Sequence, residues 1–333
     1  MKPLAAVTMC VALLAAGTAR SQDAGLGTRN IRMLIGVGVG GDYDVQARFL
    51  ARYLGRHLPG NPAVVAENML GAGGLKMANY LYELAPKDGT VIGVIANNFP
   101  ALQASGGQGV QFDAAQFQWL GAMTRETNTM VVWHTAGVKT VEDMRRIEVA
   151  AGASGRGAIT YTFPAMMNDL LGTKFKIVTG YAGGNEINLA MERGEVAARI
   201  NSWSSWKVTK PDWLRDAKIV IIAQGGRRSP ELPDVPSVED LARNPADHQV
   251  IEMLMSGAAL GRPFTAPPGV SPARVALLRA AFLETMSDAD FRAEAAATKM
   301  DLDPLPGTEM QAMIERLLKT PPDIAQRAKA FLE

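Results

Sequence analysis

From residue 31 onward the chain alternates short apolar runs of strand length with stretches whose apolar positions recur every three to four residues. Strand-like runs at 31–37, 63–67 and 90–96 flank helical patterns at 45–58 and 75–84. Strands separated by helices must cross over and run parallel, so this rhythm calls for an α/β sheet covered by helices on both faces. A second series follows, with strand-like runs at 130–134, 148–154, 175–181, 197–202 and 218–224. Between the series, the apolar segment 117–124 can carry the chain from one unit to the other, and 257–268 can carry it back. Residues 271–333 read as almost wholly helical, with Ser271-Pro272 and Pro321-Pro322 as helix starts. The expected organisation is one discontinuous unit, 28–122 with 258–333, and a second unit, 123–257, joined by two crossings. A length of 333 residues suits two domains better than one.

The first residues give a basic start at Lys2, an apolar stretch from Leu4 to Ala16 and small residues up to Ser21. That pattern is a secretory signal peptide, expected to span 1–21. The single cysteine, Cys10, lies within it and lacks the preceding small residues that lipid attachment needs, so no lipid anchor is expected. A mature chain starting near residue 22 then has no thiol nucleophile, disulfide or cysteine metal site. With 34 Lys and Arg against 33 Asp and Glu and no basic run, nucleic acid is a poor partner. No second apolar run reaches the roughly 18 residues of a membrane span. His57, His134 and His248 lack zinc spacing, and no G-x-S-x-G occurs, so neither a metal site nor a nucleophile elbow is expected.

Gly36, Gly38 and Gly41 spell G-x-G-x-x-G after the first strand. A dinucleotide fingerprint places its third glycine inside the helix, whereas helical periodicity here starts only at Asp44. Export also separates the chain from nicotinamide cofactors, and no cofactor is expected. What remains is a loop whose backbone N–H groups, with a helix N-terminus, can face a small anion. Two further loops have the same character: Gly71, Ala72, Gly73 and Gly74 in the first unit, and Ser154, Gly155 and Arg156 in the second. Three such loops at strand C-terminal ends point to one shared cleft.

The residues also resemble the Bug-type receptors, the extracytoplasmic substrate-binding proteins of tripartite tricarboxylate transporters. The likeness rests on Gly40-Gly41 before Asp44-Val45-Gln46-Ala47-Arg48, on Glu67-Asn68 before 71–74, and on Pro86-Lys87-Asp88-Gly89-Thr90. It continues in Tyr181-Ala182-Gly183-Gly184, in Gly194-Glu195-Val196, and most specifically in Leu232-Pro233-Asp234-Val235-Pro236-Ser237-Val238. It implies a two-domain periplasmic binding-protein clamp of the Venus flytrap type II class, closing on a small organic acid, a carboxylate or dicarboxylate. It further implies a monomer without catalysis that serves membrane permease subunits. Asp42-Tyr43 and Asn201-Ser202-Trp203 depart from the family pattern and bear on the ligand.

The expected ligand-binding set is Gly38, Gly40, Gly41, Tyr43, Asp44, Gly71, Ala72, Gly73, Gly74, Ser154, Gly155, Arg156, Tyr181, Gly183, Asn201 and Ser202. Arg156 offers a bidentate partner for a carboxylate, and Tyr43 an amphipathic wall. Asp44 stands where a helix N-cap is expected, which competes with ligand contact. Alternatives are a ligand sensor that signals to a membrane partner, which uses the same clamp, and a secreted α/β enzyme.

Overall fold

The computed structural model describes residues 29–40, 42–155, 158–181 and 183–332. The expected signal peptide lies outside them, as do Gly41 and Arg156. The first series consists of β1 (Ile31–Ile35), α1 (Asp42–Leu54), β2 (Val64–Asn68), α2 (Leu75–Glu83), β3 (Val91–Val94), α3 (Phe99–Ala104) and β4 (Gln118–Ala122). The second begins with β5 (Thr127–Trp133), α4 (Val141–Met144), β6 (Val149–Gly152), α5 (Ile159–Met166), β7 (Phe175–Val178) and α6 (Gly184–Glu192). It continues through β8 (Ala198–Ser202), α7 (Trp203–Thr209), α8 (Pro211–Arg215), β9 (Ile219–Gly226) and α9 (Pro245–Leu260). The chain ends with β10 (Phe264–Ala266), α10 (Pro272–Ser287), α11 (Ala289–Ala297), β11 (Leu305–Pro306), α12 (Gly307–Leu317) and α13 (Pro322–Leu332).

These elements make two sheets, one ordered β11-β4-β10-β3-β1-β2 and the other β7-β6-β8-β5-β9. In the first, β1 runs parallel to β2 and β3, in register from Ile31 opposite Val64 to Ile35 opposite Asn68. In the second, β6 is parallel to β7 and β8, while β5 is antiparallel to β8 and β9. The apolar continuity of Ile31, Met33, Leu34 and Ile35, all fully buried, follows from helices covering both faces of a parallel strand. The link from β4 to β5 is only residues 123–126, so it is shorter than the 117–124 crossing expected: β4 itself belongs to the six-stranded sheet. The return runs from α9 into β10, which pairs antiparallel with both β3 and β4.

After residue 271 the chain is helical apart from β11, a short edge strand beside β4. The last helix departs from the expected placement of 258–333 with the six-stranded sheet. Ile324, Ala325 and Ala328 of α13 are buried in the core of the five-stranded sheet, with Val250, Ile251 and Leu254 of α9. The helix starts at Ser271 and Pro322 are formed as the sequence suggests, and the Ser271 side chain caps the Arg274 N–H.

The segment Leu232 to Val238 proves to be stitched onto β9. Gln224 Nε2 donates to the Leu232 and Val235 carbonyls, at 2.9 and 2.6 Å. The Val238 N–H donates to the Gln224 carbonyl. Its proline-rich pattern therefore fixes a loop against a strand.

Candidate functional site

Parallel strands put their C-terminal ends on one edge of a sheet, which is where open α/β folds place ligands. Here β1, β2 and β3 end on one edge of the six-stranded sheet, and β6, β7 and β8 on one edge of the other. Strand β4 leaves the first of these edges and, four residues later, β5 enters the second, where its start pairs with the end of β8 at Asn128 and Ser202. The two edges meet across that link. A cavity of 760 Å³ lies there, lined by Gln46, residues 124–127, 201–205, Arg227, Arg262 and 298–303 among others.

The loop after β1 is held by Asp44, which lies in the first turn of α1, the helix starting at Asp42 rather than at Asp44. Asp44 is therefore not the N-cap. Its Oδ2 accepts the Gly40 N–H at 2.9 Å, and its Oδ1 accepts Arg48 Nε and Asn68 Nδ2, both at 2.9 Å. Asn68 Nδ2 also donates to the Val37 carbonyl. The Arg48 hydrogen bond, with those from Gly40 and Asn68, holds the buried carboxyl down at about 2 despite desolvation. The side chain is 2% exposed. These bonds join the first loop to the end of β2.

Tyr43 is likewise engaged: its hydroxyl accepts the Asn97 N–H at 3.0 Å, and the Arg262 guanidinium lies 5.1 Å from its ring centre. It ties α1 to the loop after β3 and to the return crossing.

Residues Gly71, Ala72, Gly73 and Gly74 all have positive φ, from +48° to +142°. A Cβ on Gly36 would lie 3.0 Å from Gly74 Cα, so the first two loops meet there with no room for a side chain. At Gly38, Gly40 and Gly73, by contrast, an added Cβ would meet nothing within 4 Å. These glycines border open space with bare backbone.

The second unit repeats the arrangement. Gly155 and Gly183 also border open space. The Ser154 N–H donates to the Thr160 hydroxyl at 3.1 Å, and the two hydroxyls are 3.0 Å apart, which fixes the turn into α5. The Tyr181 ring is half-buried in the core cluster beneath α6, close to Gly152, and burial raises its pKa, with a smaller push from Glu195. Ser202 caps α7 by accepting the Ser205 N–H, and Asn201 Nδ2 donates to Ser205 Oγ at 2.9 Å. Asn201 and Ser202 line the cavity; the glycine loops do not.

Sequence reading missed the charged residues around that cavity. Asp303 accepts hydrogen bonds from Nε and Nη2 of Arg125, at 2.9 and 3.0 Å, and lies 2.6 Å from Arg227 Nε. Lys207 lies 2.8 Å from Glu231 and 3.2 Å from Asp301. Arg262 pairs with Glu126 at 2.6 Å. Most of these partners are far apart in sequence, and no local pattern marks them. No group of three or more His, Cys, Asp or Glu is placed to hold a metal ion among the described residues. No helix among them is long and apolar enough to cross a membrane.

No family model matches the chain. It is 26% identical over 315 residues to the UPF0065 protein in gbd 5′region of Cupriavidus necator, covering 90% of this chain and 87% of that protein. Among solved structures, it superposes on a TctC solute binding protein from Polaromonas with a TM-score of 0.70 at 18% identity, covering 91% of this chain and 98% of that one. Rpa4515 of R. palustris, solved with adipate, gives a TM-score of 0.60 at 19% identity, covering 91% and 98%.

Proposed function

We propose that this chain is an extracytoplasmic solute receptor of the Bug type, which takes a small organic acid into the cleft between its two sheets. Its fold is that of the TctC solute-binding proteins, and the adipate-bound relative supports a carboxylate as the ligand class. The observation that carries the reading is bare glycine backbone in loops that follow strand ends in both units: Gly38, Gly40 and Gly73 in one, Gly155 and Gly183 in the other, each with open space where a side chain would stand. Backbone N–H groups with no side chain in front of them can approach a carboxylate closely from both sides.

A ligand that touches both units binds the closed arrangement better than the open one and so shifts the equilibrium between them. The closed form is then what membrane permease subunits of a tripartite tricarboxylate-type transporter receive, in the periplasm. Within the expected site, Asp44 and Tyr43 shape the first loop, while the glycines, Asn201 and Ser202 face the ligand. Gly41 and Arg156 belong to the same loops by sequence.

The test is a thermal-shift and calorimetric screen of the mature chain against mono-, di- and tricarboxylates, with nicotinamide cofactors as a control. A ligand at about 100 times its Kd adds about 2.7 kcal/mol to stability. Gly73→Asn is the matched variant, because asparagine tolerates the φ of +63° while its side chain occupies the space before the loop. The expected result is stabilisation by one class of acid, lost in Gly73→Asn with the apo melting temperature kept near wild type. Stabilisation by the cofactor alone, or by no acid, overturns the reading.

A further inference from the structure

Besides the cavity between the strand ends, the molecule holds a second one of 490 Å³. Gly226 and Arg228 line it, whereas Arg227 between them lines the first, so the chain at the end of β9 is a wall common to both. Its floor comes from both units. Met253 of α9 and Leu317 of α12 belong to the core of the five-stranded sheet, while Leu260 belongs to a core of the six-stranded one and Met313 packs against it.

Among the described residues the chain passes between the units three times, and the three passages gather around this cavity. Leu260 ends α9, where the return to β10 begins, and lines it. Lys319, Thr320 and Pro321 also line it, and they carry the chain from α12, which packs on β4, to α13, which packs on α9. The 123–126 link is tied alongside: the Glu126 N–H donates to the Ala258 carbonyl at 2.9 Å, and its carbonyl accepts the Arg227 N–H at 3.1 Å.

The chemistry of the lining is uneven. Met253, Met255 and Met313 give an apolar surface whose unbranched side chains adapt to an apolar body. Glu239 is engaged by the Gly226 N–H, at 2.9 Å, and by the Ser237 hydroxyl, and Arg228 pairs with Asp240. Arg316 and Lys319, both exposed at the end of α12, form no ion pair among the described residues, and of the lining acids Glu252 is likewise unpaired. Two free cations against one free acid leave the rim positive. A cavity of this size, apolar with a few charged groups, is the form that small-molecule sites take.

We infer that this cavity is a second binding site, separate from the cleft, for an amphipathic monocarboxylate: the apolar body lies on the methionines and Leu260, and the carboxylate meets Arg316 and Lys319. One carboxylate suits it, because a single negative charge balances the rim and the apolar floor offers a second one no partner. The inference does not depend on what the cleft binds.

Cations in a last helical turn also complement the helix dipole, so the test varies the charge of the ligand as well as that of the protein. Octanoate, octanamide and octylammonium, which share one chain length, are titrated calorimetrically into the mature wild-type chain and the double variant Arg316→Gln with Lys319→Gln. Both positions are exposed, and a urea melt is expected to show the variant folded. Octanoate is expected to bind wild type at least about tenfold more tightly than the other two, and to lose about tenfold in the double variant. Amide exchange with octanoate bound is expected to slow at 256–260 and 316–320. No binding of octanoate, an equal or greater affinity for octanamide or octylammonium, or an unchanged affinity in the double variant overturns the inference. So does slowed exchange confined to 201–205 and 298–303, which would put the probe in the other cavity. The ligand series on wild type decides the matter even if the variant does not fold.

Discussion

Asp44 illustrates how one side chain can be placed correctly by sequence and assigned the wrong work. Its position after a glycine loop marks it as a helix-start acid, and Arg48 four residues on is a partner that spacing alone suggests. Asn68 and the Gly40 N–H complete the set only when β2 lies beside β1. Since the folded carboxyl titrates at about 2 against an ordinary 3.8, the ionised form is what folding favours. The stabilisation is complete above the unfolded value and is lost as pH falls through the folded one. Asp44→Asn is expected to cost about 2 kcal/mol at neutral pH. Urea melts of both proteins should converge as the pH is lowered from about 4 to about 2. A gap that persists unchanged into that range would mean that the carboxylate charge is not what holds the loop.

Among the elements, strands and helices were largely legible because their periods are local: each expected strand from 31–37 to 218–224 has a counterpart in β1 to β9. The hydrophobic pattern of α13 announced a helix equally well, yet gave no hint of which core would take it. Any buried face satisfies the same pattern, and the choice depends on where α12 leaves the chain. The consequence is testable at this scale. Ile324 is 3% exposed in the core with α9, and Ile324→Ala should cost about 2–5 kcal/mol. Amide exchange is expected to rise in α9 and α5, which α13 contacts, and to stay unchanged in α10. Faster exchange in α10 instead would place the C-terminal helix with the first sheet after all.

Across the whole molecule, the two sheets are joined by the short 123–126 link, the return into β10, and ion pairs that span the cleft. Arg227 at the end of β9 and Lys207 on α7 reach Asp303 and Asp301, which lie between α11 and β11. Partly exposed pairs such as these are screened by salt. Asp303→Asn is expected to enlarge the radius of gyration of the ligand-free protein in small-angle scattering and to weaken acid binding. High salt should do the same to wild type, and an unchanged radius would rule the pairs out as a clasp. By itself, the sequence determined the α/β class, the two sheets and the glycine loops at strand ends, because periodicity, turn chemistry and conformational freedom act between near neighbours. Only the tertiary structure decided that Asp44 and Tyr43 brace the loop, that Asp303 pairs with Arg125 and Arg227, and that Arg199 lies under Gly184. Each of these depends on bringing together groups from separate elements, which no local pattern encodes.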